Sequence, residues 1–233
     1  MIFFVRNVLN SFTVWRNVGI VVYKLGIRNM ISVYQLKSDF QKLLRPISDK
    51  FAAWGLTANM ITLSALALSA AVGGAVYFMA PQNVMWLGLL PIALFIRMAL
   101  NAIDGMMARE HNQQTALGAI LNELGDIVSD VIIYVPFLWV MHCLPAWIFL
   151  FTILTIISET VGIIGVQIGA SRRYDGPMGK SDRAFWCGLA ATLAACGFGT
   201  DKYARMFAQA MCFLLLYTII NRICGALKEV KTK

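Results

Sequence analysis

An all-α, polytopic membrane fold is predicted by three observations. The chain is 59% hydrophobic with only 14% charged residues. Its mean hydropathy is +0.68. Its apolar residues fall into stretches of span length separated by turn-forming residues. Soluble domains carry far more charge than this.

Residues 1–31 read as an N-terminal extension, interfacial or loosely ordered. Arg6, Arg16, Lys24 and Arg28 interrupt the aromatics there, so no uncharged run of about 20 residues exists to form a span. No small-residue cleavage site marks a secretory signal. Met30 stands just before the organised sequence and is an alternative start. Residues 32–233 read as one membrane domain.

Within that domain, residues 32–52 predict an amphipathic helix. Val33, Leu36, Phe40, Leu43, Leu44 and Ile47 recur at helical spacing, with Lys37, Lys42, Arg45 and Lys50 between them. Such a helix lies in the membrane interface. Six spans follow, at about 57–80, 84–109, 118–142, 146–170, 184–200 and 204–225. Turn chemistry separates them: Pro81-Gln82-Asn83, the polar run 110–117, the segment ending at Pro145, the basic loop 171–183 and Gly199-Thr200-Asp201. Trp86, Trp139, Trp147 and Trp186 fall near span ends, as an interfacial belt requires.

Orientation follows from lysine and arginine. They crowd the N-terminal helix, the loop 171–183 and the C-terminus, whereas the opposite loops hold only Lys202 and Arg205. Both ends and the loops 110–117 and 171–183 are therefore expected in the cytoplasm. The net charge of +8 reports this topology and anionic headgroups, not nucleic acid. Cys143, Cys187, Cys196, Cys212 and Cys224 form no Cys-x-x-Cys pair and read as small core hydrophobes. His111 and His142 are too few for a histidine metal site.

Acids inside apolar spans are costly and mark ion or substrate sites. Arg97, Asn101, Asp104 and Ala108 share one face of the second span, and Gly118, Asn122 and Asp126 share one face of the third. The two spans run antiparallel, so Asp104 and Asn122 lie at a similar depth, about 6–8 Å below the surface. Their oxygens can meet at one point. Oxygen ligands suit a hard divalent cation, Mg2+ or Mn2+. Such a cation beside Arg and Lys supplies what phosphoryl transfer needs. A purely structural role, polar residues joining helices, needs fewer buried acids than this. Arg97 is expected to pair with Asp104 or another buried acid.

The run Asn101-x-x-Asp104-Gly105-x-x-Ala108-Arg109-x8-Gly118-x-x-x-Asn122-x-x-x-Asp126 resembles the signature of the CDP-alcohol phosphotransferase family, D-x-x-D-G-x-x-A-R-x8-G-x-x-x-D-x-x-x-D. Arg45-Pro46 and Thr57-Ala58-Asn59-Met60-Ile61-Thr62 are similar to the family's entry to its first span. The resemblance covers about residues 32–226, and is strongest to a bacterial inner-membrane branch with the same asparagines. It implies a homodimer with a cytoplasm-facing cavity. It also implies transfer of a phosphatidyl or phospho-alcohol group from a CDP-activated donor, such as CDP-diacylglycerol, to a hydroxyl acceptor, with release of CMP. By the same resemblance, Asp104 is a metal ligand, Asp126 is ligand and general base, and Asn101 and Asn122 stand at the other two ligand positions. Gly105, Ala108, Arg109, Gly118, Asn59 and Thr62 would bind the nucleotide. Lys180, Arg183, Arg172 and Arg173 would bind an acceptor phosphate or a lipid headgroup.

The departure from the family pattern is one of charge. Four carboxylates balance two divalent ions, and two carboxylates balance one. Either one metal is held, or Asp130 and Glu123, both near the Asp126 face, restore the charge. The alternative is a non-catalytic CDP-lipid-binding protein acting as sensor or scaffold. A small transporter is a weaker rival, because no inverted-repeat halves are evident.

Overall fold

The computed structural model describes residues 33–198 and 201–232. Every regular element among them is helical: α1 (Val33–Ala53), α2 (Ala58–Met79), a 3-10 turn (Val84–Gly88), α3 (Leu89–Glu110), α4 (Ala116–Val140), α5 (Pro145–Gln167), α6 (Lys180–Ala195) and α7 (Asp201–Thr232). The expected extension 1–31 lies outside the described residues. The described chain falls into two units divided between Leu43 and Leu44. In the first, Lys42 Nζ pairs with Asp39 at 2.9 Å.

The second unit carries the rest. In its part of α1, Leu44 and Ser48 are buried while Ile47 is exposed. Arg45 donates to both Glu110 oxygens, at 3.0 and 2.9 Å, joining α1 to the end of α3. This hydrogen bonding raises the Arg45 pKa above its ordinary value.

Six helices follow α1, one at each segment expected to span. Four of the described helical segments are long and apolar enough to cross a membrane: Ala58–Met79, Val84–Glu110, Pro145–Gln167 and Lys202–Thr232. That makes the chain an integral membrane protein. The other two fall short for visible reasons. Glu123, Asp126 and Asp130 sit on α4, and α6 has only 16 residues.

Helix boundaries are set by local chemistry. Thr57 caps α2 by accepting from Met60 N–H at 3.3 Å, and Thr115 caps α4 by accepting from Gly118 N–H at 2.9 Å. Gln113 in the intervening loop accepts from Ala58 N–H at 2.7 Å, satisfying another open donor at the start of α2. The second expected span opens as the 3-10 turn, with Asn83 accepting from Met85 N–H.

Helix α2 packs on α3 and α4, α3 on α6, α4 on α5, and α5 on α7. Val76, Leu87, Leu90, Ile133, Phe137 and Leu215 anchor the shared core. Ile92, Phe95, Phe149 and Phe213 point outward, the reverse of a soluble surface and what lipid contact requires. Cys143, Cys187 and Cys212 are buried as expected, whereas Cys196 and Cys224 are exposed; none of the five forms a disulfide.

Candidate active site

Polar residues singled out in the sequence meet through side chains that α3 and α4 direct toward each other in antiparallel register. Arg97 faces Asp130 (2.6 Å), and one turn on Asn101 faces Asp126, its amide donating to Oδ1 at 3.1 Å. Arg97 also donates to the Asp126 carbonyl at 3.0 Å and lies 3.5 Å from its carboxylate. A turn further along α3, Asp104 is buried and accepts from Thr62 of α2 at 2.8 Å. Asn122 is half-buried one turn before Asp126 on α4.

Helix α6 supplies the remaining cations. Gly179 N–H donates to Asp182 at 2.9 Å, fixing the first turn of α6. That turn sets Lys180 and Arg183 on one face. Lys180 Nζ donates to Asp126 Oδ1. Arg183 holds Asp130 through two donors, at 3.1 and 2.7 Å, and reaches Glu159 of α5 at 2.9 Å. Arg222 of α7 completes the line, 3.4 Å from Glu159. Asp130 and Arg183 are 1% and 0% exposed, so this is a buried ionic chain across five helices. Such groups are tolerated inside a membrane bundle only when paired in this way.

Each expected site residue can now be placed. Asn59 and Gly118 touch at the cytoplasmic end expected for α2 and α4: a Cβ at 118 would lie 2.6 Å from Asn59 Oδ1 and 2.9 Å from Thr115 Oγ1. A side chain at 118 would push Asn59 or Thr115 aside. Gly105 lies beneath Arg109, whose guanidinium would be 3.4 Å from a Cβ there. Ala108 is half-buried on the same stretch of α3. Thus Asn59, Thr62, Gly105, Asp104 and Gly118 gather around the ends of three helices.

The basic residues meet the structure differently. Arg172 pairs with Glu123 at 2.5 Å and lies 3.7 Å from Glu159. Its side chain also stacks on Tyr174, 4.6 Å from the ring centre. Burial acts to lower the Arg172 pKa, but the Tyr174 and Glu123 interactions outweigh it and the net effect is a rise. Arg173 is held by Asp175 and Glu229, each at 2.7 Å. All four basic residues expected to bind an acceptor phosphate or headgroup therefore have carboxylate partners. The two acids weighed as charge compensation are likewise engaged: Asp130 by Arg97 and Arg183, Glu123 by Arg172.

Glu159 and Arg222 escaped the sequence reading. The signal was the one that marked Arg97, a lone charge inside an apolar helix.

Among the described residues, no group of three or more His, Cys, Asp or Glu side chains gathers as a metal centre. The oxygens at hand are those of Asp104, Asp126, Asn101 and Asn122. Two carboxylates and two carboxamides fit a single hard divalent cation by donor chemistry. They lack the charge for two.

The chain belongs to the CDP-alcohol phosphatidyltransferase family, which it matches over residues 55–229. It is therefore a phosphotransferase by family. It is 46% identical over 192 residues to "Inner membrane protein YnbA" of Escherichia coli, covering 82% of this chain and 94% of that one. It is 30% identical over 111 residues to a phosphatidylinositol phosphate synthase of Mycolicibacterium smegmatis, spanning 47% of this chain and 48% of that protein. The fold is similar to that of Mycobacterium tuberculosis phosphatidylinositol phosphate synthase. With CDP-DAG bound, that enzyme matches with a TM-score of 0.63 at 20% identity, over 82% of this chain and 94% of its own. In complex with manganese and citrate it matches with a TM-score of 0.63 at 18% identity, over 79% and 88%.

Proposed function

We propose that this protein transfers a phosphatidyl or similar phospho-alcohol group from CDP-diacylglycerol, or another CDP-activated alcohol, to a hydroxyl acceptor, releasing CMP in phospholipid biosynthesis. The observation that carries the reading is the Asn101–Asp126 pair on facing turns of α3 and α4, with Asp104 held by Thr62 one turn further along α3 and Asn59 against Gly118, inside the stretch that matches the family.

In this reading Asp126 is the general base. The acceptor hydroxyl oxygen attacks the β-phosphorus of the donor. Its proton passes to an Asp126 carboxylate oxygen, and the bond to CMP breaks with its electron pair leaving on CMP. Asn101 and Arg97 fix the orientation of Asp126 from α3. Asn59, Thr62, Gly105, Ala108, Arg109 and Gly118 seat the cytidine and diphosphate. Asp104, Asp126, Asn101 and Asn122 would hold a divalent ion, Mg2+ or Mn2+, which would supply charge neutralisation at the diphosphate. The manganese complex of the fold neighbour supports that choice. The carboxylate pairing of Arg172, Arg173 and Arg183 favours a neutral acceptor alcohol over one that already carries a phosphate.

The rest of the reading concerns setting. All six helices α2–α7 cross the membrane, with α4 and α6 tolerated because their charges pair inside the bundle. The exposed Ile47 of α1 favours an interfacial helix. The lysine and arginine bias favours a site on the cytoplasmic side of a bacterial inner membrane, and the family resemblance supports a homodimer.

A second reading, a non-catalytic CDP-lipid binder, draws on Asn101, Asn122 and the Lys180 contact to Asp126. The test is conversion of labelled CDP-diacylglycerol by purified protein in lipid, with Mg2+ or Mn2+ and a panel of alcohols. New labelled lipid with matching CMP supports the transferase. Cytidine nucleotide bound with no turnover across the panel supports the binder.

A further inference from the structure

Every acid beside the candidate centre except Asp104 has a cation in direct contact, and Asp104 shares the field of Lys180 at longer range. Asp130 is held by Arg97 and Arg183, Glu159 by Arg183 and Arg222, Glu123 by Arg172, and Asp126 by Lys180. Asn101 and Asn122 bring oxygens but no charge. A divalent ion arriving alone would therefore have to displace the one ammonium that contacts Asp126 and also acts on Asp104. Uncompensated charge in a low-dielectric bundle is strongly unfavourable.

We propose that Lys180 is a resident counter-ion of Asp126 that yields its place only when metal and CDP diphosphate arrive together. The inference rests on the nucleotide reading above. The diphosphate of a CDP-alcohol carries two negative charges. These compensate the incoming divalent ion and receive the displaced Lys180 ammonium. Lys180 is suited to the exchange. It stands on the first turn of α6, next to the loop, and is 26% exposed, whereas Arg183 one turn deeper is fully buried and doubly paired. A lysine is also a point charge on a flexible stem, free to re-aim, unlike a forked guanidinium. Metal and nucleotide binding are consequently linked, each strengthening the other by the same factor.

The test is Mn2+ binding to the full chain in lipid nanodiscs, followed by the electron paramagnetic resonance of free Mn2+, with and without CDP. CDP binding is measured separately by equilibrium dialysis. Saturating CDP should tighten Mn2+ binding by at least about tenfold. Lys180→Met removes the competing cation, so it should tighten CDP-free Mn2+ binding and shrink the CDP effect. Asn101→Asp adds a carboxylate with Lys180 still present and should also permit Mn2+ binding without CDP. Equal Mn2+ affinity with and without CDP, in a protein that does bind CDP, overturns the inference and leaves the nucleotide reading standing. Lys180→Met that weakens CDP-free Mn2+ binding overturns it too. Absence of CDP binding at any Mn2+ concentration overturns both.

Discussion

Asp130→Asn isolates the structural half of the ionic chain from its chemical half. Asp130 is 1% exposed and accepts from Arg97 at 2.6 Å and from Arg183 at 3.1 and 2.7 Å. Asparagine keeps the shape, removes the charge and turns an amide toward one guanidinium. Breaking a buried pair by removing one partner destabilises by about 3–5 kcal/mol. Arg183 keeps Glu159 and the Met178 carbonyl, and Arg97 keeps Asp126, which puts the loss near the lower figure, about 3 kcal/mol. In a chain of this size each kcal/mol moves the melting temperature by about 2–4 °C, so a drop of about 6–12 °C is expected. Thermal unfolding in lipid nanodiscs, followed by tryptophan fluorescence, reads it. Below its melting point the variant should bind Mn2+ in the presence of CDP as the parent does, because both Asp130 oxygens already belong to arginines. An unchanged melt together with weakened Mn2+ binding would refute the structural assignment and return Asp130 to the metal site.

The other predictions are local. Gly118→Ala puts a Cβ 2.6 Å from Asn59 Oδ1; displacing Asn59 should weaken CDP binding by about tenfold, a loss of about 1.4 kcal/mol, read by equilibrium dialysis. Gly176 has φ +107°, and a Cβ there would lie 2.7 Å from Thr218 Cα. Gly176→Ala should therefore destabilise by about 1–3 kcal/mol, visible as a lower melt and as loosening of the Met178 N–H bond to Thr218 at 2.9 Å. Removing divalent ions with EDTA should stop CMP release, and Mn2+ or Mg2+ should restore it.

Helix positions were legible because apolar run length and turn residues speak locally. The expected spans at 57–80 and 146–170 correspond to Ala58–Met79 and Pro145–Gln167. The start of α6 was less so: the loop read as 171–183 ends at Gly179, because Asp182 closes a first turn that begins four residues earlier than the basic run suggested. The facing of Asn101 and Asp126 followed from helical spacing plus antiparallel neighbours. The counter-ions did not. Lys180 is 54 residues from Asp126, and Arg183 is 53 from Asp130. Nothing in local periodicity says that Lys180 and Arg183 of α6 reach α4, so the acids looked available and the basic loop looked like a ligand site. The lone charges Arg97, Glu159 and Arg222, read together, carry the missing information: three buried charges on three helices require partners.

CMP release by purified protein in lipid with CDP-diacylglycerol, divalent metal and acceptor, compared between the parent and Asp126→Asn, tests the central claim most directly. Loss of the general base should reduce the rate by about 10²–10⁴-fold, and loss of a metal-holding carboxylate should weaken CDP binding with it. CMP release by Asp126→Asn at the parental rate would contradict the account, because the carboxylate held by Asn101 and Lys180 would then have no part in the chemistry.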